Sequence, residues 1–384
     1  MKKFLLVLTL LFTLFAAAPA QAQSGAPQGS PDLPLCLPDA EMNSADCLMA
    51  GPAALKKELA GLGMSLPQRP LPAAAPDASL VKVDVSIAKI NNDKTDPAAM
   101  YASFEDAKAG QNPINFIPPG SNRYISFVNL AYYNDKAYVQ LESGEWLRAA
   151  PTTWSRFQGL LFSRNPVNSF GWIVDLTRAR VAPSFTAQEI GPDLPRYTLV
   201  QIYEVRNAEN FDWYMIAPNR WVDRRAIRQV RVNYERPEGV PAEVNRWIDI
   251  NLYDQTLTVI EDGKLVFAAL VTTGGEPFYT QPGIFQIYKK KPLETMSGAF
   301  EADRSDYYYF EDVPWTMYFD KARAIHGAYW RTSFGYPGSH GCVNLSIGDA
   351  RWLFDWAAEG DYVHVWDPSG KTPTDPALYS DGGA

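Results

Sequence analysis

The chain reads as mainly β with a few helices. Three observations carry that expectation. From about residue 81 onward, apolar residues alternate with polar ones in short runs, the period of a half-buried strand. Turn pairs such as Asp262-Gly263 separate the runs, and both residues tolerate the positive φ that a two-residue hairpin requires. Helical signals are confined to two short segments, one after Pro52 and one after Ser346.

Residues 1–22 read as a secretory signal peptide. Lys2 and Lys3 form a charged start, Phe4 to Ala18 an apolar run, and Ala20-Gln21-Ala22 a small-x-small cleavage site. The mature protein is therefore expected outside the cytoplasm, in the cell envelope. No later apolar run approaches the roughly 18 residues of a membrane span, so no stable membrane insertion is expected after cleavage. Residues 23–80 are rich in Pro and Ala and read as a tether, broken by a short helix with Leu55, Leu59 and Leu62 on one face.

Residues 81–155 and 156–241 read as two small β modules. Tyr138-Val139-Gln140-Leu141 leads to Trp146-Leu147-Arg148, and Tyr214-Met215-Ile216-Ala217 leads to Trp221-Val222-Asp223. Both copies are a strand, a tight polar turn and a strand opening on tryptophan. Core packing is the plainer role for both tryptophans.

A new pattern starts near Val244, which sets a last domain at 242–368 and a tail at 369–384. Ile248, Ile250 and Leu252 alternate with Asp249 and Asn251; Thr256–Ile260, Leu265–Thr272 and Ile284–Tyr288 follow as strands. Ser346-Ile347-Gly348-Asp349 is a capping-box start for a helix with Trp352, Leu353 and Trp356 on its apolar face. Tyr362–Trp366 is a final strand, and His364 within it reads as an ordinary strand residue.

The chemistry concentrates in Ser339-His340-Gly341-Cys342-Val343-Asn344, with His326 sixteen residues before the cysteine. Two of only three histidines thus stand near one thiol. Thiol catalysis needs a base to form the thiolate and donors to hold the oxyanion. Cys342 is the candidate nucleophile, and His326 or His340 the candidate base. Gly341 and Cys342 are candidate oxyanion N–H donors. Ser339 and Asn344 flank the thiol as loop-fixing polar groups, with Asn344 also a candidate substrate contact. Tyr318, Trp330, Phe334 and Tyr336 bracket the site as candidate cleft walls. If Cys36 and Cys47 bridge, Cys342 is the odd thiol of an exported chain, which favours a functional reading.

This run resembles the signature of the YkuD family of L,D-transpeptidases. Ala324-Ile325-His326-Gly327, Phe334-Gly335-Tyr336-Pro337 and Thr280-Gln281-Pro282-Gly283 are similar to that family too, over roughly residues 246–367. The resemblance implies a β-sandwich-like catalytic domain with Cys342 as nucleophile and His326 as base, oriented by a backbone carbonyl near Gly327. It implies peptidoglycan stem peptides as donor and acceptor, a thioester intermediate, 3→3 cross-links and no cofactor. The two β modules weakly resemble bacterial SH3-like modules. A thiol carboxypeptidase or endopeptidase of the same fold, and a non-catalytic wall-binding protein, are the competing readings.

Composition narrows the field further. The formal charge of −8 disfavours nucleic-acid binding, which calls for basic patches. The runs Lys289-Lys290-Lys291 and Arg224-Arg225-Ala226-Ile227-Arg228 read as solvated faces or turns. A structural zinc site on His326, His340 and Cys342 lacks the close cysteine pair such sites use, so no metal is expected.

Overall fold

The computed structural model describes residues 52–65, 69–152, 155–232, 234–299, 303–304 and 306–379. The expected leader and the Cys36–Cys47 pair lie outside the described residues. Pro52–Gly61 is a helix, where the first-turn proline and the leucine spacing predict one. Among the described residues, no helix is long and apolar enough to cross a membrane.

Two sheets form the body of the unit from Leu62 onward. In the first, the strand order is Ala73–Ala74, Leu160–Phe162, Lys264–Leu270, Thr256–Glu261, Arg246–Asn251, Tyr362–Trp366, Gly283–Gln286. The Asp262-Gly263 turn sits as expected, with φ of 51° and 69°, and pairs Glu261 with Lys264. The second sheet runs Val343–Leu345, Arg323–Gly327, Tyr308–Asp320, Asn122–Phe127, Ser86–Lys89, Ala150–Pro151, with Lys289–Gly298 also on Tyr308–Asp320.

The inner faces of the sheets share one core. Ile248, Ile250, Leu257, Val259 and Phe267 from the first meet Met317, Phe319, Ile325, Val343 and Leu345 from the second. Alternate residues of each strand reach this core because successive side chains of a strand point to opposite faces. The helix Ile347–Trp356 lays Ala350 and Leu353 on this core, and Trp352 stacks on Phe267 at 4.4 Å. Its start is the predicted one: Ser346 Oγ accepts from the Asp349 N–H and donates to its carboxylate. Lys290, read as part of a solvated run, instead donates to the carbonyls of Phe354 and Ala357, satisfying the far end of this helix.

The sheets cross the boundaries read from the sequence. Asn122–Tyr124 pairs in parallel with Tyr308–Phe310, so a strand of the first expected module lies beside the central strand of the catalytic region. Leu160–Phe162 extends the other sheet through Leu160↔Ala268 and Leu161↔Phe267. Phe170, Trp172 and Val230 of the second expected module lie in the shared core. The expected tether also contributes: Ala73–Ala74 pairs with Leu161–Phe162, and Ala78–Val81 packs beside the helix Ile347–Trp356. In the expected tail, Tyr379 is buried over the Arg323 guanidinium, 5.4 Å from ring centroid to the charge. The reason is shared: strands with unpaired edges next to a large apolar core recruit neighbours from anywhere in the chain.

The two repeat copies are both hairpins, Lys136–Gln140 with Trp146–Arg148 and Phe211–Ala217 with Arg220–Asp223. Their sheets differ, with three strands in one and five in the other. Trp221 is buried and Trp146 half-buried against Phe104, as core packing predicts.

Candidate active site

The site follows from strand register. Arg323–Gly327 and Val343–Leu345 run parallel, with Ile325 opposite Val343 and His326 opposite Asn344. Ile325, Val343 and Leu345 face the core. Alternation therefore puts His326, Cys342 and Asn344 on the other face, together. Cys342 and His326 are diagonal neighbours on adjacent strands, roughly 7–8 Å between backbones, a gap that an imidazole and a thiol span.

That face opens into a cleft of about 330 Å³ lined by His326, His340, Cys342, Asn344, Ser339 and Arg331 among others. Its aromatic walls are Tyr308, Phe310 and Trp330. Phe310 stacks on Trp330 at 3.9 Å, and Trp330 lies 5.6 Å from the His326 ring. Asn122, far away in sequence, completes the rim.

Each sequence-predicted residue has a definite place. Cys342 is buried, with its Sγ accepting from the Ala324 N–H at 3.5 Å. Burial pushes its thiol up to about 11, with the Ala324 N–H and the Arg323 charge pulling the other way. His326 is also buried, and burial drives its imidazole down to about 4, opposed by the Gly327 carbonyl 3.1 Å from Nδ1. With Nδ1–H donating to that carbonyl, Nε2 is left as the acceptor facing the cleft. The resting pair is thus neutral thiol and neutral imidazole, since both charged forms are desolvated.

His340 is half-buried, stacked on Tyr308 at 5.5 Å and tilted against Phe278 at 4.8 Å. Ser339 fixes the loop: its Oγ donates to the Cys342 carbonyl at 2.5 Å and accepts the Gly341 N–H at 3.2 Å. The Gly341 N–H is therefore engaged by Ser339, and the Cys342 N–H is the donor left for an oxyanion. Thr280, from the upstream Thr-Gln-Pro-Gly run, donates to the Gly341 carbonyl at 2.8 Å. Gly341 has φ of 114°, and a Cβ there would meet Arg323 Nε at 2.9 Å. Asn344 is buried, and its Oδ1 has no hydrogen-bond partner, an acceptor held ready at the cleft wall.

Three expected wall residues do not line the cleft. Tyr336 turns away to donate to Asp175 at 2.5 Å. Phe334 is fully buried in the main core. Tyr318 packs beside Tyr288 and against the apolar cluster that holds Cys342, near the thiol although not part of the cleft lining. Gly327 contributes its carbonyl and no cleft surface. Sequence reasoning missed Tyr308, Phe310 and Arg331. The run Tyr307-Tyr308-Tyr309-Phe310 was the available signal, because alternation on a strand sends Tyr308 and Phe310 to one face. His364 stands apart from the site, its Nδ1 2.5 Å from the Asp249 carboxylate. Among the described residues, no group of three His, Cys, Asp or Glu side chains gathers to hold a metal.

Known proteins share this arrangement of sequence. The sequence model of the YkuD L,D-transpeptidase catalytic domain matches residues 245–365. L,D-transpeptidase 2 of Mycobacterium tuberculosis is 30% identical over 124 residues, which is 30% of each chain. L,D-transpeptidase 1 of the same species is 24% identical over 176 residues, 41% of this chain and 66% of that one. The alignments thus span less than two thirds of either relative. Among solved structures, the catalytic domain of an Enterococcus faecium L,D-transpeptidase is 25% identical, with TM-score 0.29, over 33% of this chain and all of that one. Residues 245–365 belong to the YkuD family of L,D-transpeptidase catalytic domains.

Proposed function

We propose that this protein is an exported L,D-transpeptidase that forms 3→3 cross-links between peptidoglycan stem peptides. The observation that carries the reading is the placement of Cys342, His326 and Asn344 on one face of two parallel strands, at the floor of one cleft. The charged start, apolar run and Ala20-Gln21-Ala22 of the first residues support export to the envelope.

The neutral resting pair sets the mechanism. The thiol proton passes to His326 Nε2 as Sγ attacks the carbonyl of the third stem residue. The negative charge moves to the carbonyl oxygen, held by the Cys342 N–H and by His340. The C–N bond then breaks, His326 returns the proton to the departing D-alanine amine, and a thioester remains. An acceptor amine attacks the thioester and gives a proton to His326. The thiolate leaves and takes that proton back, which restores Cys342. Aromatic walls shield the thioester from water until the amine arrives.

Intact mass spectrometry after incubation with a disaccharide-tetrapeptide tests this. A mass gain equal to the donor minus D-alanine is expected on the wild type and not on Cys342→Ala. Turnover by Cys342→Ala would refute the thiol mechanism. Dimeric cross-linked product identifies a transferase; tripeptide alone identifies a carboxypeptidase.

A further inference from the structure

Arg331 stands in the cleft beside both histidines, and its charge opposes protonation of each. Arg331 is half-buried, whereas the fully buried guanidinium groups elsewhere in the chain are engaged. Arg123 donates to three carbonyls, those of Asp96, Pro118 and Asp93. Arg228 donates to those of Gly335, Arg224, Arg225 and Ile227. Arg323 pairs with Asp320 at 2.8 Å. Among the described residues Arg331 has one side-chain bond, from Nη2 to the Gly338 carbonyl, and its Nε, like that of Arg123, is buried without a partner. Among the described residues, no carboxylate pairs with it. A guanidinium carries five N–H donors and its charge is costly to desolvate without a counter-ion. The missing partner is an anion, and the fork geometry of the group suits a carboxylate.

We propose that Arg331 recognises a free carboxylate on the donor peptide, within one residue of the bond that breaks. This rests on the acyl-transfer reading above and specifies its substrate. Two carboxylates have that position: the one on the departing C-terminal residue and one on the side chain of the third residue. Arg331 selects for whichever reaches it as the thiol meets the carbonyl, and so favours acidic donors over amidated ones.

Three tetrapeptide donors separate the possibilities: one with both carboxylates free, one amidated at its C-terminus, and one amidated on the third side chain. Initial acylation rates at low donor concentration are compared for wild type, Arg331→Gln and Arg331→Lys. Thermal melting confirms that each is folded. Wild type should lose roughly 10- to 100-fold on one amidated donor only, the size of a charge-assisted hydrogen bond. Arg331→Gln should lose the same factor on the free donor and nothing more on that amide. Arg331→Lys should recover most of the loss. The donor whose amidation matters names the source of the carboxylate. Equal losses by Arg331→Gln on all three donors would reduce Arg331 to a loop tether through Gly338 and overturn the proposal. If no donor acylates the wild type, the transpeptidase reading fails by itself. Binding of the same donors to Cys342→Ala, with and without Arg331→Gln, then decides: an Arg331-dependent preference for the free acid supports the site, and its absence overturns it.

Discussion

Substituting Arg228 by Met should slow acylation although Arg228 lies outside the cleft. The loop that joins the His326 strand to the Cys342 strand is held from behind by residues 174–230. Arg228 Nε donates to the Gly335 carbonyl at 2.6 Å, and its guanidinium lies 4.9 Å from the Tyr336 ring. Tyr197 Oη accepts the Phe334 N–H at 3.2 Å, and Asp175 holds the Tyr336 hydroxyl. A buried charge-assisted hydrogen bond contributes about 1.5–3 kcal/mol. If that energy holds the loop in the reactive arrangement, its loss reduces the competent population by about 10- to 150-fold. Met keeps much of the volume and removes the donors. The assay is the rate of acyl-enzyme formation by intact mass, with a circular-dichroism melt to show that the variant is folded. Folded Arg228→Met acylating at the wild-type rate would refute the idea that the β modules position the loop. By the same reasoning, a fragment of residues 242–370 should acylate poorly, because it lacks this clamp and five strands of the two sheets.

Other outcomes follow from the site. Alkylation of Cys342 by iodoacetamide should climb steadily as pH rises toward about 11, because burial holds the thiol neutral below that; a plateau near neutral pH would reveal a thiolate–imidazolium pair instead. Asp349 is buried, and burial raises its carboxyl from 3.8 to about 7 against the bonds from Gly159 and Ser346. Its contribution is therefore fully present below the unfolded value of 3.8 and lost as pH rises through about 7. The stability of Asp349→Asn relative to wild type should accordingly increase across that window, by up to the order of 4 kcal/mol; a melting-temperature difference independent of pH would refute it. Gly341→Ala should lose acylation and about 1–3 kcal/mol of stability, from positive φ and the contact with Arg323; an unchanged melt and rate would show that the loop relaxes freely.

The local features were legible because local physics sets them. The Asp262-Gly263 turn, the Ser346 cap and the strand alternation around Ile248 appear where the residues predict. The thiol and histidines converge because a two-residue period forces it. What was not legible involves partners distant in sequence. Nothing in the Arg224–Arg228 run reveals that Arg228 is buried under Tyr336, since a guanidinium hides its charge only when particular carbonyls reach it. Tyr336 looked like a cleft wall from its place in the motif, but its hydroxyl found Asp175 in another segment. The strand pairings that cross residue 242 were hidden for a similar reason, as alternation marks where strands start and not which strand they join.

The parallel pairing of Asn122–Tyr124 with Tyr308–Phe310 bears on how the molecule is made. Ser126 waits for Glu311, 185 residues further on, to take up its N–H. Arg246–Asn251 likewise waits for Tyr362–Trp366. Closing such long loops costs entropy before any contact repays it, so folding is slow and late. A growing chain holds every strand of the thiol-bearing sheet only once residue 345 has emerged, and of the other sheet only at residue 366. The site around the thiol is therefore assembled late, and chains that stop before these strands lack it.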